Sequence, residues 1–189
     1  MGGTCPQAGG EEAKGTRRYG RCMGERSSRS ASFEGWSDGG AQPLVVSACL
    51  LGVRCNHQGR ASESAAVVAL GRDRRLVPVC PESVGGLPTP RPAAEIQPDG
   101  TVRTAAGDDV TWAYARGAAH TVALARALGA AGAILKARSP ACGCHEVYDG
   151  TFTRVRVRGE GVTARALREA GVPVWSEEDV AGGPDPGKR

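Results

Sequence analysis

Gly132-Ala133-Ile134-Leu135-Lys136-Ala137-Arg138-Ser139-Pro140-Ala141-Cys142-Gly143-Cys144-His145 runs from a short apolar segment into a turn that carries a hydroxyl, two thiols and an imidazole. The apolar part reads as a buried strand, because four to eight apolar residues bounded by turn signals are too few for a helix. Upstream, Val110, Tyr114, Gly117, Thr121, Leu124 and Leu128 recur in steps of three and four, the stripe of an amphipathic helix. Asp108 and Asp109 precede that helix as caps and Gly129 ends it. A helix feeding a buried strand is the crossover of a βαβ unit, so the sheet is parallel and the turn at Ser139 stands at a strand's carboxyl end.

Two other segments repeat the arrangement. Leu44 to Ala48 is an apolar strand closed by Cys49, and Leu76 to Val79 is a second closed by Cys80-Pro81-Glu82. Pro78 removes a ladder donor and assigns that second strand to an edge. Between them, Ser62 is the expected cap of a helix from Glu63 to Leu70 that ends at Gly71. Gly85 to Pro92 is a stiff, proline-rich loop, and Pro98-Asp99-Gly100 turns a hairpin between Glu95-Ile96 and Thr101 to Arg103. Tyr148 to Phe152 reads as a turn, and Thr153 to Arg158 as an exposed strand or irregular loop. A helix from Ala164 to Ala170, a strand from Val172 to Trp175 and one helical turn at Ser176 to Glu178 complete the pattern. The expected fold class is α/β: a layered, mostly parallel Rossmann-like sheet with flanking helices. Residues 1–42 are a Gly/Ser/Arg-rich extension expected to be disordered, 43–181 the α/β domain, and 182–189 a flexible tail.

Composition narrows the function. The 189 residues carry 24 basic and 20 acidic side chains, a mild and interspersed net charge of +4 that does not by itself point to nucleic acid. Aromatics make up 4% of the chain, so the core has to be aliphatic. No apolar run approaches the roughly 20 residues of a membrane span, and no secretory signal is visible. The expected location is the cytoplasm. Seven cysteines in a reducing compartment more often bind metal or do chemistry than form disulfides.

In an open parallel sheet, strand carboxyl ends converge on the crevice where ligands bind. Cys49, Cys80 and Cys142 each stand at such an exit. Three soft thiolates suit zinc, copper(I) or an iron–sulfur cluster, and leave a further coordination position open. Cys55 and Cys144 compete for the same role, with His57 and His145 as alternative zinc ligands; His120 lies on the long helix as an ordinary surface residue. Cys5 and Cys22 fall in the extension and are left out of the site. Glu82 and Ser139 face the same crevice, as a general base and a hydroxyl donor, or more plainly as a helix cap and a turn residue. Arg91 and Arg60 are candidate pocket cations, whereas Asp109 and Asp149 are capping and turn residues.

The stretches Ser47 to Cys55, Val77 to Glu82, Gly85 to Pro92, Asp109 to Thr111, Ala133 to Lys136, Ser139 to Gly143 and Tyr148 to Phe152 together resemble the thiouracil desulfidase-like family of small bacterial cluster-binding domains. The resemblance spans Leu44 to Val180 in order. It implies an oxygen-sensitive 4Fe-4S cluster held by Cys49, Cys80 and Cys142 with one iron free, and Glu82 and Ser139 as the catalytic side chains. It also implies a desulfidase that removes sulfur from a thiolated pyrimidine base such as 2-thiouracil, without net redox change. The expected partners are that small-molecule base and the cluster-assembly machinery. Neither a membrane nor nucleic acid is expected, and a homodimer is left open. The alternative is a cluster- or zinc-binding protein that handles sulfur or senses redox state without turning over a free base. The chain departs from the family pattern at Asn56-His57-Gln58-Gly59 and at Cys144-His145.

Overall fold

The computed structural model describes residues 42–182. The expected disorder of the extension and the fraying of the tail fall on residues outside that range, as do Cys5 and Cys22. The chain opens with β1 (Leu44–Ser47), a short 3-10 turn (Ala48–Leu51), α1 (Ala65–Leu70), β2 (Leu76–Val79) and α2 (Pro81–Val84). A hairpin of β3 (Ala94–Ile96) and β4 (Val102–Thr104) leads to the long α3 (Thr111–Leu128) and then β5 (Gly132–Leu135). A second hairpin, β6 (Glu146–Tyr148) and β7 (Arg156–Arg158), is followed by α4 (Val162–Glu169), β8 (Val174–Ser176) and α5 (Glu177–Gly182).

Four strands form one parallel sheet in the order β2-β1-β5-β8. From β1 the chain first winds outward to β2, then returns past β1 to β5 and β8. The strand order therefore reverses between β1 and β5, and that switch point is where an open α/β sheet leaves a crevice at its carboxyl edge. Alternation along the strands divides the core in two. Val45, Ala133 and Leu135 pack with residues of α3 and α4, and Leu44, Val46 and Ile134 pack with Val67 of α1 on the opposite face. The result is an α/β/α sandwich with an aliphatic core, as the sequence predicts, and Pro78 lies on the edge strand.

Several local expectations change. The cap of α1 is Ser64, whose side chain accepts from the Val67 amide, and not Ser62. Ser62 is committed elsewhere: its amide donates to the Cys49 carbonyl and its hydroxyl accepts from Asn56, which delays the helix by two residues. At the start of α3, Asp109 accepts from the Thr111 amide, but Asp108 is tied back to Thr104. Tyr148, read as the first residue of a turn, ends a strand, Glu146–Tyr148, that pairs antiparallel with the exposed Arg156–Arg158.

The turn after β2 lies hard against α3. A Cβ at Gly117 would collide with the Pro81 carbonyl, and one at Gly85 with the Ala113 carbonyl. This close approach lets Glu82 reach Tyr114, one turn before Gly117. Gly117→Ala is expected to destabilise the domain by about 3 kcal/mol, the upper end for overpacking, because a backbone carbonyl cannot swing aside. Equilibrium urea unfolding measures it; an unchanged midpoint would mean that α2 is free to lift away.

Candidate metal centre and ligand hollow

At the switch point a hollow of about 570 Å³ opens, lined by Cys49, Cys55, Cys80 and Cys142 together with Glu82, Arg91, Tyr114 and Ser139. Each of the expected thiols is delivered by a strand. Cys49 follows β1 in the 3-10 turn, Cys80 caps α2 directly after β2, and Cys142 sits in the turn beyond β5. All are free thiols, and Cys49 and Cys142 are buried. Ser139 starts the turn that aims Cys142: its oxygen accepts from the Ala141 and Cys142 amides at 3.1 and 3.2 Å. The turn role and the pocket position thus belong to the same residue, and the hydroxyl proton remains available to a ligand.

Burial, reinforced by the neighbouring Cys80 thiol, pushes Cys49 up to about 11. Burial and then the Cys80 and Cys49 thiols push Cys55 up to about 12. Cys142 is raised by burial, with the Ser47 hydroxyl bonded to its sulfur pulling the other way. Thiols gathered around one hollow resist ionising together unless a cation holds them, and a metal body supplies that cation. Among the described residues, no three His, Cys, Asp or Glu side chains stand close enough to share a single metal ion. Soft thiolates delivered by three strands are the donor type that an iron–sulfur cluster takes.

Glu82 lines the same hollow and is held in place by two neighbours. Arg91 Nε donates to its Oε2 at 2.6 Å, and Tyr114 hydrogen-bonds the same carboxylate. The other Arg91 nitrogens donate to the Pro88 and Cys55 carbonyls and to Thr89 Oγ1. Burial alone would lower the Arg91 pKa; the Glu82 carboxylate outweighs it and holds the guanidinium above its ordinary value. Burial, and then the Glu82 charge, raise the Tyr114 hydroxyl far above the usual tyrosine range.

The remaining candidates separate cleanly. Cys55 lines the hollow, and Cys80 Sγ approaches its carbonyl at 3.6 Å. Cys144 is buried away from the hollow beside a separate recess of about 20 Å³, and burial pushes it up to about 12. His145 is exposed and paired with Asp179 at 2.9 Å. Cys144 and His145, two members of the zinc alternative, thus line that recess together and not the hollow of the other thiols. His57 lines the hollow, whereas Arg60 is exposed and outside it. Sequence reasoning missed Ser47, Tyr114, Lys136 and Glu95 as lining residues. Tyr114 belongs to the core stripe by periodicity, and its one signal is that it is that stripe's one aromatic with a polar tip.

The family model described as 2-thiouracil desulfurase matches residues 44–179. The chain belongs to that family. The resemblance noted from the motifs is borne out, and with it the expectation of an enzyme of the desulfidase type. The protein is 40% identical over 146 residues to the uncharacterized protein YbbK of Bacillus subtilis (strain 168), across 72% of this chain and 97% of that one. It also matches the solved structure of the [4Fe-4S]-dependent thiouracil desulfidase TudS at 43% identity and a TM-score of 0.69, over 73% of this chain and 92% of that one. Among the described residues no helix is long and apolar enough to cross a membrane.

Proposed function

We propose that the protein replaces the sulfur of a thiolated pyrimidine base, of the 2-thiouracil type, with oxygen from water. Thiocarbonyl and water become carbonyl and hydrogen sulfide, with no net electron transfer. The observation that carries the reading is the meeting of Cys49, Cys80 and Cys142 with Glu82 and Ser139 around one hollow, in a chain 43% identical to TudS.

A [4Fe-4S] cluster held by Cys49, Cys80 and Cys142 would leave one iron without a protein thiolate and supply a Lewis acid to the substrate's sulfur. The protein's own groups do the rest. Glu82 takes a proton from the water that attacks the ring carbon and returns it to the departing sulfur. Arg91 and Tyr114 hold that carboxylate at one angle, so that no reorganisation is needed as the proton moves. Ser139 donates its free hydroxyl proton to the ring edge or the developing oxygen. We assign the protein to the cytoplasm because free thiols and such a cluster persist in a reducing compartment.

Protein loaded with iron and sulfide under anaerobic conditions is expected to release sulfide and uracil from 2-thiouracil in equal amounts. A full cluster without sulfide release would reject the substrate; failure to retain iron would reject the cofactor.

A further inference from the structure

The hollow has a second wall that the proposed chemistry does not use. Of the five aromatic residues in the described chain, Trp112, Tyr114, Tyr148, Phe152 and Trp175, three line the hollow, and neither Tyr148 nor Phe152 belongs to the buried core. Among the described residues, all three non-glycine residues with positive φ, Arg138 at 62°, Phe152 at 60° and Arg154 at 67°, also line it. An L-residue is held in that region only where its surroundings over-determine it.

For Phe152 the surroundings are identifiable. Glu95, in the middle of β3, is buried, and its Oε2 accepts from both the Gly150 and Phe152 amides at 3.0 Å. Gln97 Nε2 donates to the Gly150 carbonyl at 3.2 Å. Gly150 has φ 90° and packs so closely that a Cβ would meet the Ile96 carbonyl at 2.9 Å. Asp149 accepts from the Thr151 amide and hydroxyl. Successive positions of the loop are thus pinned, mostly to the β3 hairpin, and the loop presents its aromatic residues to the hollow.

We propose that Glu95 is a positioning residue that sets Phe152, with Tyr148 beside it, as the wall on which the planar ring of the substrate stacks. The proposal rests on the desulfidase reading for the kind of ring, and on the loop geometry for its place. A conjugated heterocycle offers the flat face that such a wall accepts, whatever its exocyclic atoms.

The test uses cluster-loaded protein, with equilibrium dialysis of 2-thiouracil and of uracil alongside steady-state kinetics. Phe152→Leu keeps apolar volume without a ring; it is expected to weaken binding of both bases at least about fivefold, the low end of base–aromatic stacking, while Phe152→Tyr binds as wild type. The loss should appear in KM, with kcat kept within about twofold. Glu95→Ala is expected to match Phe152→Leu, and Glu95→Gln, which keeps an acceptor oxygen, to recover. Wild-type affinity in Phe152→Leu overturns the wall, and equal damage in Glu95→Gln and Glu95→Ala overturns the positioning role. If wild type binds both bases but releases no sulfide, the desulfidase reading fails, and the dialysis series still decides the wall.

Discussion

Cys142→Ser is expected to lose its iron and, with it, sulfide release from 2-thiouracil by roughly a thousandfold, the rate equivalent of several kcal/mol of Lewis-acid stabilisation. Cys142 is the buried thiol most closely served by its neighbours. Ser139 fixes the turn through the Cys142 amide, and Ser47 hydrogen-bonds the sulfur while also accepting from the Lys136 amide at 3.0 Å. A serine oxygen fits the space but is a hard, weakly acidic ligand in a site built for soft thiolates. Cys49→Ser and Cys80→Ser should behave alike, since each removes one strand's contribution to the proposed centre. Cys144→Ser serves as the control, because its thiol lies outside the hollow. Cys55→Ser should also keep iron if the strand-exit thiols are the ligands. Iron and acid-labile sulfide per chain, measured without air, read the result. Full iron in Cys142→Ser, or its loss in Cys55→Ser, would reassign the ligand set.

Much of this was legible because it is topological. A helix stripe ahead of a short apolar run fixes a parallel crossover, and parallel strands send their exits to one edge. Thiols separated by dozens of residues could therefore be placed at a common crevice before any coordinates. What stayed illegible depends on side-chain direction and small offsets. Nothing in the spacing says that Cys142 faces the hollow while Cys144, two residues on, is buried away from it. Ser62 and Ser64 are equally good caps by residue type, and the choice falls to Ser64 because the loop's own backbone bonds claim Ser62. Glu95 reads as an ordinary hairpin residue, and its inward carboxylate becomes evident only when the loop from Asp149 folds onto it. Tyr114 satisfies the helix periodicity so well that the pattern gives no sign of a role for its hydroxyl.

The hardest separation is between Glu82 as a base and Glu82 as the partner of Arg91, and Glu82→Gln makes it. The residue has a modest structural role, since it lies in the first turn of α2 where a negative charge is favoured. Its side chain and that of Arg91 are 13% and 3% exposed, so deleting the carboxylate outright would strand a buried guanidinium. Glutamine softens this: it removes the counter-charge but keeps an oxygen for Arg91 Nε, and Arg91 still has the Pro88 and Cys55 carbonyls and Thr89 Oγ1. The variant is therefore expected to fold and to hold its iron. Its amide cannot carry a proton from water to sulfur, so kcat should fall by about 10² to 10⁴, the usual worth of a positioned general base. Uracil affinity, which needs no proton transfer, should stay near wild type. A kcat within about tenfold of wild type would reduce Glu82 to an anchor for Arg91. The attacking water would then have to find its base elsewhere along the hollow, and Tyr114 is poorly suited because burial beside Glu82 favours its neutral form. Loss of iron in Glu82→Gln would instead tie the carboxylate to the metal centre itself, and Arg91, which bonds Glu82 and brings Nη2 to 3.9 Å from Cys80 Sγ, would be the link through which it acts.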